Sequence, residues 1–132
     1  MRKEGWEQIL NEHIKRASYR PFEWGHHDCA LWSSRWVKHA TGIDLHSEWE
    51  GRYSSESELQ VLMAKRGITS YEQIADKAGL LPITVSFAQR GDIVLHPQDC
   101  LGICNGRMSH FLTASGMTIF PTLNCLKAWK VD

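Results

Sequence analysis

The sequence predicts an α+β domain in which N-terminal helices pack on a C-terminal antiparallel β-meander. Three observations lead there. Helical periodicity with capping residues fills the chain as far as Gly79, strand-length apolar segments follow Pro82, and Asn-Gly and Ser-Gly turns separate those segments. The chain has 132 residues and no repeat, low-complexity tract or Pro/Gly/Ser linker, so residues 1–132 are read as one domain.

The elements follow in order. Trp6, Ile9, Leu10, His13, Ile14 and Ala17 recur at helical spacing, which predicts a first amphipathic helix ending before Arg20-Pro21. After the loop Pro21 to His27, Asp28 is a good N-cap for a helix from Cys29 to about Thr41, with Gly42 as its stop. Ser55-x-x-Glu58 opens a third helix closed by Gly67, and Ser70-x-x-Gln73 opens a short fourth closed by Gly79; both openings read as capping boxes. Strands are expected at Asp92 to His96, Leu101 to Asn105, Met108 to Thr113, Met117 to Phe120 and Lys127 to Val131. Asn105-Gly106 and Ser115-Gly116 are hairpin signals, and helices followed by a meander imply helices on one face of the sheet.

Composition excludes several classes of function. Fifteen basic and fifteen acidic side chains cancel, so no net field draws the chain to nucleic acid or to an anionic bilayer. No stretch approaches the roughly 20 apolar residues of a membrane span, and no apolar leader opens the chain, so a cytoplasmic protein without membrane insertion is expected. The four cysteines, at 29, 100, 104 and 125, are too few and too unevenly spaced for a disulfide framework, and free thiols are the default. Trp32 and Trp36, one helical turn apart, read as core.

Cys29 is the candidate functional centre. In the first turn of a helix, unpaired backbone N–H groups and the positive end of the dipole favour an anion, so the thiolate is expected to form more easily there. The backbone N–H of such a residue can also serve as half of an oxyanion hole. Against this, the neighbouring carboxylate of Asp28 raises a thiol pKa unless the helix cap engages it. The plainer alternative is an inert cysteine opening a core helix, the commoner state of this residue type.

Trp24-Gly25-His26-His27-Asp28-Cys29 is followed much later by Arg90-Gly91-Asp92-Ile93-Val94-Leu95 and by Leu101-Gly102-Ile103-Cys104-Asn105-Gly106. This combination resembles the NlpC-type cysteine peptidases, a papain-like superfamily. It resembles more closely a small uncharacterised family encoded among the tail-tip genes of tailed phages. The closer resemblance runs over nearly the whole chain, including Pro21 to Trp32 and the closing Cys125-Leu126-Lys127-Ala128-Trp129. It implies a papain-like, NlpC-type architecture: a helix-borne cysteine against an antiparallel sheet, a histidine base on one strand and a third, orienting polar residue on the next.

Carried onto this sequence, the resemblance makes Cys29 the nucleophile, although Ala30 and Leu31 stand where Ser-Gly is usual. Gly91-Asp92 matches the turn into the strand before the histidine strand. The histidine strand usually begins His-Val-Gly-Ile; the same slot here reads Cys100-Leu101-Gly102-Ile103, so a second thiol replaces the base. His110 falls near the slot of the orienting residue. As substitute bases, His110 is ranked ahead of His96, and Asp28 and Trp24 are expected to contact substrate.

Three readings of function follow. The first is a structural component of a phage tail tip or baseplate with a degenerate site, made in the host cytoplasm, docked on tail-hub proteins and needing no cofactor. The second is an active peptidoglycan endopeptidase in which Cys29 attacks a stem-peptide amide. The third is a metal module built from Cys29, Cys100 and His110, although Cys100 and Cys104 alone would lie about 13 Å apart on a strand, too far to share an ion. A Cys29–Cys100 disulfide is also conceivable, but a cytoplasmic origin opposes it until the particle leaves the cell.

Overall fold

A computed structural model describes residues 1–132. Helices α1 (Trp6–Ala17), α2 (Cys29–Thr41), α3 (Glu56–Lys65) and α4 (Tyr71–Lys77) precede strands β1 (Leu81–Ile83), β2 (Ile93–His96), β3 (Cys100–Cys104), β4 (Met108–Thr113), β5 (Gly116–Pro121) and β6 (Lys127–Lys130). The class is α+β with a six-stranded sheet whose pairs are all antiparallel. No helix is long and apolar enough to cross a membrane.

The sheet departs from a simple meander. Strands β2 to β5 do follow one another across it, but β6 returns to the opposite side of β2 and pairs there with β1, giving the order β1-β6-β2-β3-β4-β5. Burial explains the return. Ala128 and Trp129 of β6 are buried on opposite faces of the sheet, as suits an interior strand with a packed layer over each face, whereas β5 is mostly exposed and suits an edge. A short 3-10 turn, Thr122–Asn124, starts the reversal, and Thr122 anchors it with N–H to the Arg107 carbonyl at 2.9 Å and Oγ1 to the Gly106 carbonyl at 2.6 Å. Strand β1, around Pro82, was not expected; its edge position tolerates the missing N–H of proline.

On the helix side, Trp36, Val37, Ala40 and Leu10 of α1 and α2 pack against Ile93, Leu95, Leu101, Ile103, Leu112 and Trp129. Each fully buried aliphatic side chain of this layer contributes roughly 1.5–3 kcal/mol. Trp32 and Trp36 are core residues, and the Trp36 indole donates to the Gly91 carbonyl at 2.7 Å. The other face buries Val94, Cys104, Phe111, Cys125 and Ala128 beneath the segments flanking β1 and β6. A third cluster, Leu31, Tyr53, Leu59, Met63 and Ile68, seats α3 beside the head of α2.

Local caps agree with the sequence in part. Ser55 accepts the Glu58 N–H at 3.1 Å, as a capping box requires. Ser70 makes no such bond; Gln73 reaches back to the Thr69 N–H at 2.7 Å, and Asp99, from the β2–β3 turn, accepts the Tyr71 N–H at 3.3 Å. The chain ends are tied by Arg2, which donates to the Val131 and Arg90 carbonyls and pairs at 2.9 Å with the fully buried Asp92 carboxylate.

Candidate functional site

The head of α2 is held by Asp28. Its backbone is extended, and its carboxylate, 1% exposed, accepts the Leu31 N–H at 3.0 Å, the Gly25 N–H at 3.0 Å and the Tyr53 hydroxyl at 2.5 Å. Gly25 is required in this loop: its φ is +85°, and a Cβ there would stand 1.9 Å from the Tyr53 carbonyl oxygen. Asp28, expected to contact substrate, is therefore committed to the cap. Trp24 does line the cleft beside Cys29, packed edge to face on Phe22 at 4.9 Å.

Cys29 begins the helix and is 6% exposed. Its thiol is not activated. The neighbouring Cys100 thiol, burial and the Asp28 charge together push it well above its ordinary range, against a smaller opposing contribution from the Leu101 backbone N–H. The lowering expected at the helix terminus is opposed here by the second thiol, by burial and by the Asp28 charge.

Cys100 is the first residue of β3 and lies across the β2–β3 hairpin from His96. Cys29, Cys100, His96, Trp24, Tyr71 and Thr113 are among the residues lining one cleft of about 400 Å³, with the carboxylates of Glu56 and Asp99 also on its wall. Burial pushes the Tyr71 phenol up and the His96 imidazole down. His96 Nδ1 accepts the Gln98 backbone N–H at 3.0 Å, so the neutral ring carries its proton on Nε2. The ring packs on Phe111 and Phe120 at 5.2 and 4.2 Å between centroids.

His110 does not reach this cleft. It pairs with Ile103, three residues along β3 from Cys100, which is about 10 Å of strand. Its Nε2 is 3.5 Å from Asn105 Nδ2, its Nδ1 is buried without a partner, and burial lowers its pKa. The residue that the same register brings opposite Cys100 is Thr113. The Asn105-Gly106 signal, taken as the two turn residues, points instead to Phe111, because the observed turn is centred one residue later. His27 turns away to the Ala17 carbonyl at 3.4 Å. With His110 removed from the thiols, the expected metal set does not assemble: no group of three His, Cys, Asp or Glu side chains in the chain could hold a metal ion.

A family model described as "Domain of unknown function (DUF6950)" matches residues 1–131. The chain belongs to the DUF6950 family. No curated protein and no solved structure matches it. Chemically, this DUF6950 domain presents a cleft lined by two adjacent free thiols, an imidazole whose available ring nitrogen is a donor, and two carboxylates.

Proposed function

We propose that this DUF6950 domain has a papain-like, NlpC-type cysteine-peptidase architecture retained as a structural part of a phage tail tip, docked on tail-hub proteins, with a site that does not hydrolyse. The observation that carries this reading is Cys100. It stands beside the helix-borne Cys29, at the start of the strand where the resembled peptidases carry their base. Peptide cleavage needs Cys29 to lose its proton, add to the carbonyl carbon and pass that proton through an imidazole to the leaving amine. A second thiol cannot do this at neutral pH, and the effect of Cys100 on Cys29 is to hold the proton on.

The active endopeptidase is the second reading, favoured by His96, which shares the cleft with Cys29. In the observed orientation its Nδ1 lone pair is spent on Gln98 and Nε2 offers a proton, so it would have to change tautomer and partner before acting as a base.

The test is release of peptides from purified peptidoglycan by the wild type and by Cys29→Ser, read by mass, together with mass spectrometry of purified phage particles. The structural reading expects no peptide from either protein and the chain present in the particle. Peptides released by the wild type and not by Cys29→Ser would overturn it in favour of the enzyme. Absence of the chain from particles would overturn the tail-tip assignment.

A further inference from the structure

We infer that Cys29 and Cys100 form an oxidation site, a dithiol that closes to an intramolecular disulfide on meeting a low-molecular-weight disulfide such as oxidised glutathione. This goes beyond the tail-tip reading and does not depend on it. Both thiols are free and are each other's neighbours, and both line the same cleft. Cys29 and Leu101, next along the chain from Cys100, pack in one buried cluster with Cys100 at its margin, so this end of β3 lies against the head of α2. The partially exposed Cys100 gives an oxidant a point of attack, and Cys29, behind it, is positioned to resolve the adduct. The other two cysteines, Cys104 and Cys125, are buried in the cluster on the face away from the helices; Cys100 also touches that cluster, but neither Cys104 nor Cys125 lines the cleft.

The chemistry balances as two exchanges. The Cys100 thiolate attacks one sulfur of the small disulfide, forming a mixed disulfide and expelling one glutathione thiolate, which takes up the proton lost from Cys100. Cys29 then attacks the Cys100 sulfur, forming the Cys29–Cys100 bond and releasing the second glutathione, which takes up the Cys29 proton. The protein loses two hydrogens and two electrons; the small disulfide gains them. The product joins the first turn of α2 to the first residue of β3, two elements far apart in sequence, and leaves no free thiol in the cleft.

The experiment uses the full chain, reduced, then exposed to oxidised glutathione at mildly alkaline pH while still folded. It is followed by thiol titration in denaturant, by intact mass and by non-reducing peptide mapping. The expected result is a fall from four titratable thiols to two, a mass loss of two hydrogens and a Cys29–Cys100 linked peptide, all reversed by a thiol reductant. The Cys29→Ser protein should instead stop at the glutathione adduct on Cys100. Four thiols unchanged in the wild type, a persistent wild-type glutathione adduct, or a bond mapping to Cys104–Cys125 alone would each overturn the inference. Since the decisive reading is made on the wild type, a poorly folding variant does not affect it.

Discussion

In a Cys100→His protein, an imidazole would stand where the structure now holds the thiol that most strongly raises Cys29. The causes acting on Cys29 are, in order, the Cys100 thiol, burial, the Cys100 charge and the Asp28 charge. The substitution removes the first and third and supplies a potential cation in their place. The cleft of about 400 Å³ beside the position offers room for the ring. Thiols paired with an imidazolium have pKa values of about 7.5 or below, so at pH 7 the thiolate fraction of Cys29 should rise from under about 1% to at least roughly 25%. The less basic thiolate is intrinsically a weaker nucleophile by about fivefold, which leaves a net gain of at least roughly fivefold in reaction rate. The assay is the second-order rate of iodoacetamide alkylation at pH 7, followed at the Cys29 peptide by mass, with circular dichroism to show that the fold persists. Folded Cys100→His whose Cys29 alkylates no faster than the wild type would refute the claim that Cys100 is what silences this site.

Two further outcomes follow from the same contacts. Asp28→Ala removes the cap from α2 and leaves the buried Gly25 N–H and Tyr53 hydroxyl without their acceptor, so it should cost about 3 kcal/mol and lower the melting temperature by roughly 10 °C; Tyr53→Phe, which keeps the cap, should cost less than half as much, and equal losses would contradict this division. His13 stacks on Trp32 at 5.3 Å and hydrogen-bonds its carbonyl at 2.8 Å, and burial lowers its pKa from 6.5 to about 4. The unfolded chain therefore binds the proton more readily than the folded one between those values. Stability from this group is complete above pH 6.5 and falls by up to about 3 kcal/mol as the pH drops to 4. Urea midpoints across that range should show the slope in the wild type and a shallower one in His13→Gln; parallel curves would assign the acid sensitivity to other groups.

What was legible in the sequence follows the range of the interactions. Asp28, Ser55, Gly42 and Gly67 mark helix ends because capping bonds and left-handed stops act over three or four residues. The Asn105-Gly106 hairpin was readable for the same reason, but a turn at those two residues would set Cys100 opposite Phe111; the observed turn is centred one residue later and shifts the register by two. The nearness of Cys29 to Cys100 was reached through a family resemblance; composition and spacing alone do not carry it.

By itself, then, the sequence determined the four helices and five of the six strands in order, the α+β class, the capped start of α2 and the cysteine at its head, since each depends on neighbours a few residues away. Only the tertiary structure decided that β6 crosses to pair with β1 and β2, that His96 rather than His110 shares the cleft with Cys29, and that Cys29 is a suppressed thiol. Each of these depends on burial and on partners tens of residues away. The return of β6 is driven by the need to cover Ala128 and Trp129 on both faces, and the state of Cys29 by a second thiol and a buried carboxylate meeting at one helix end.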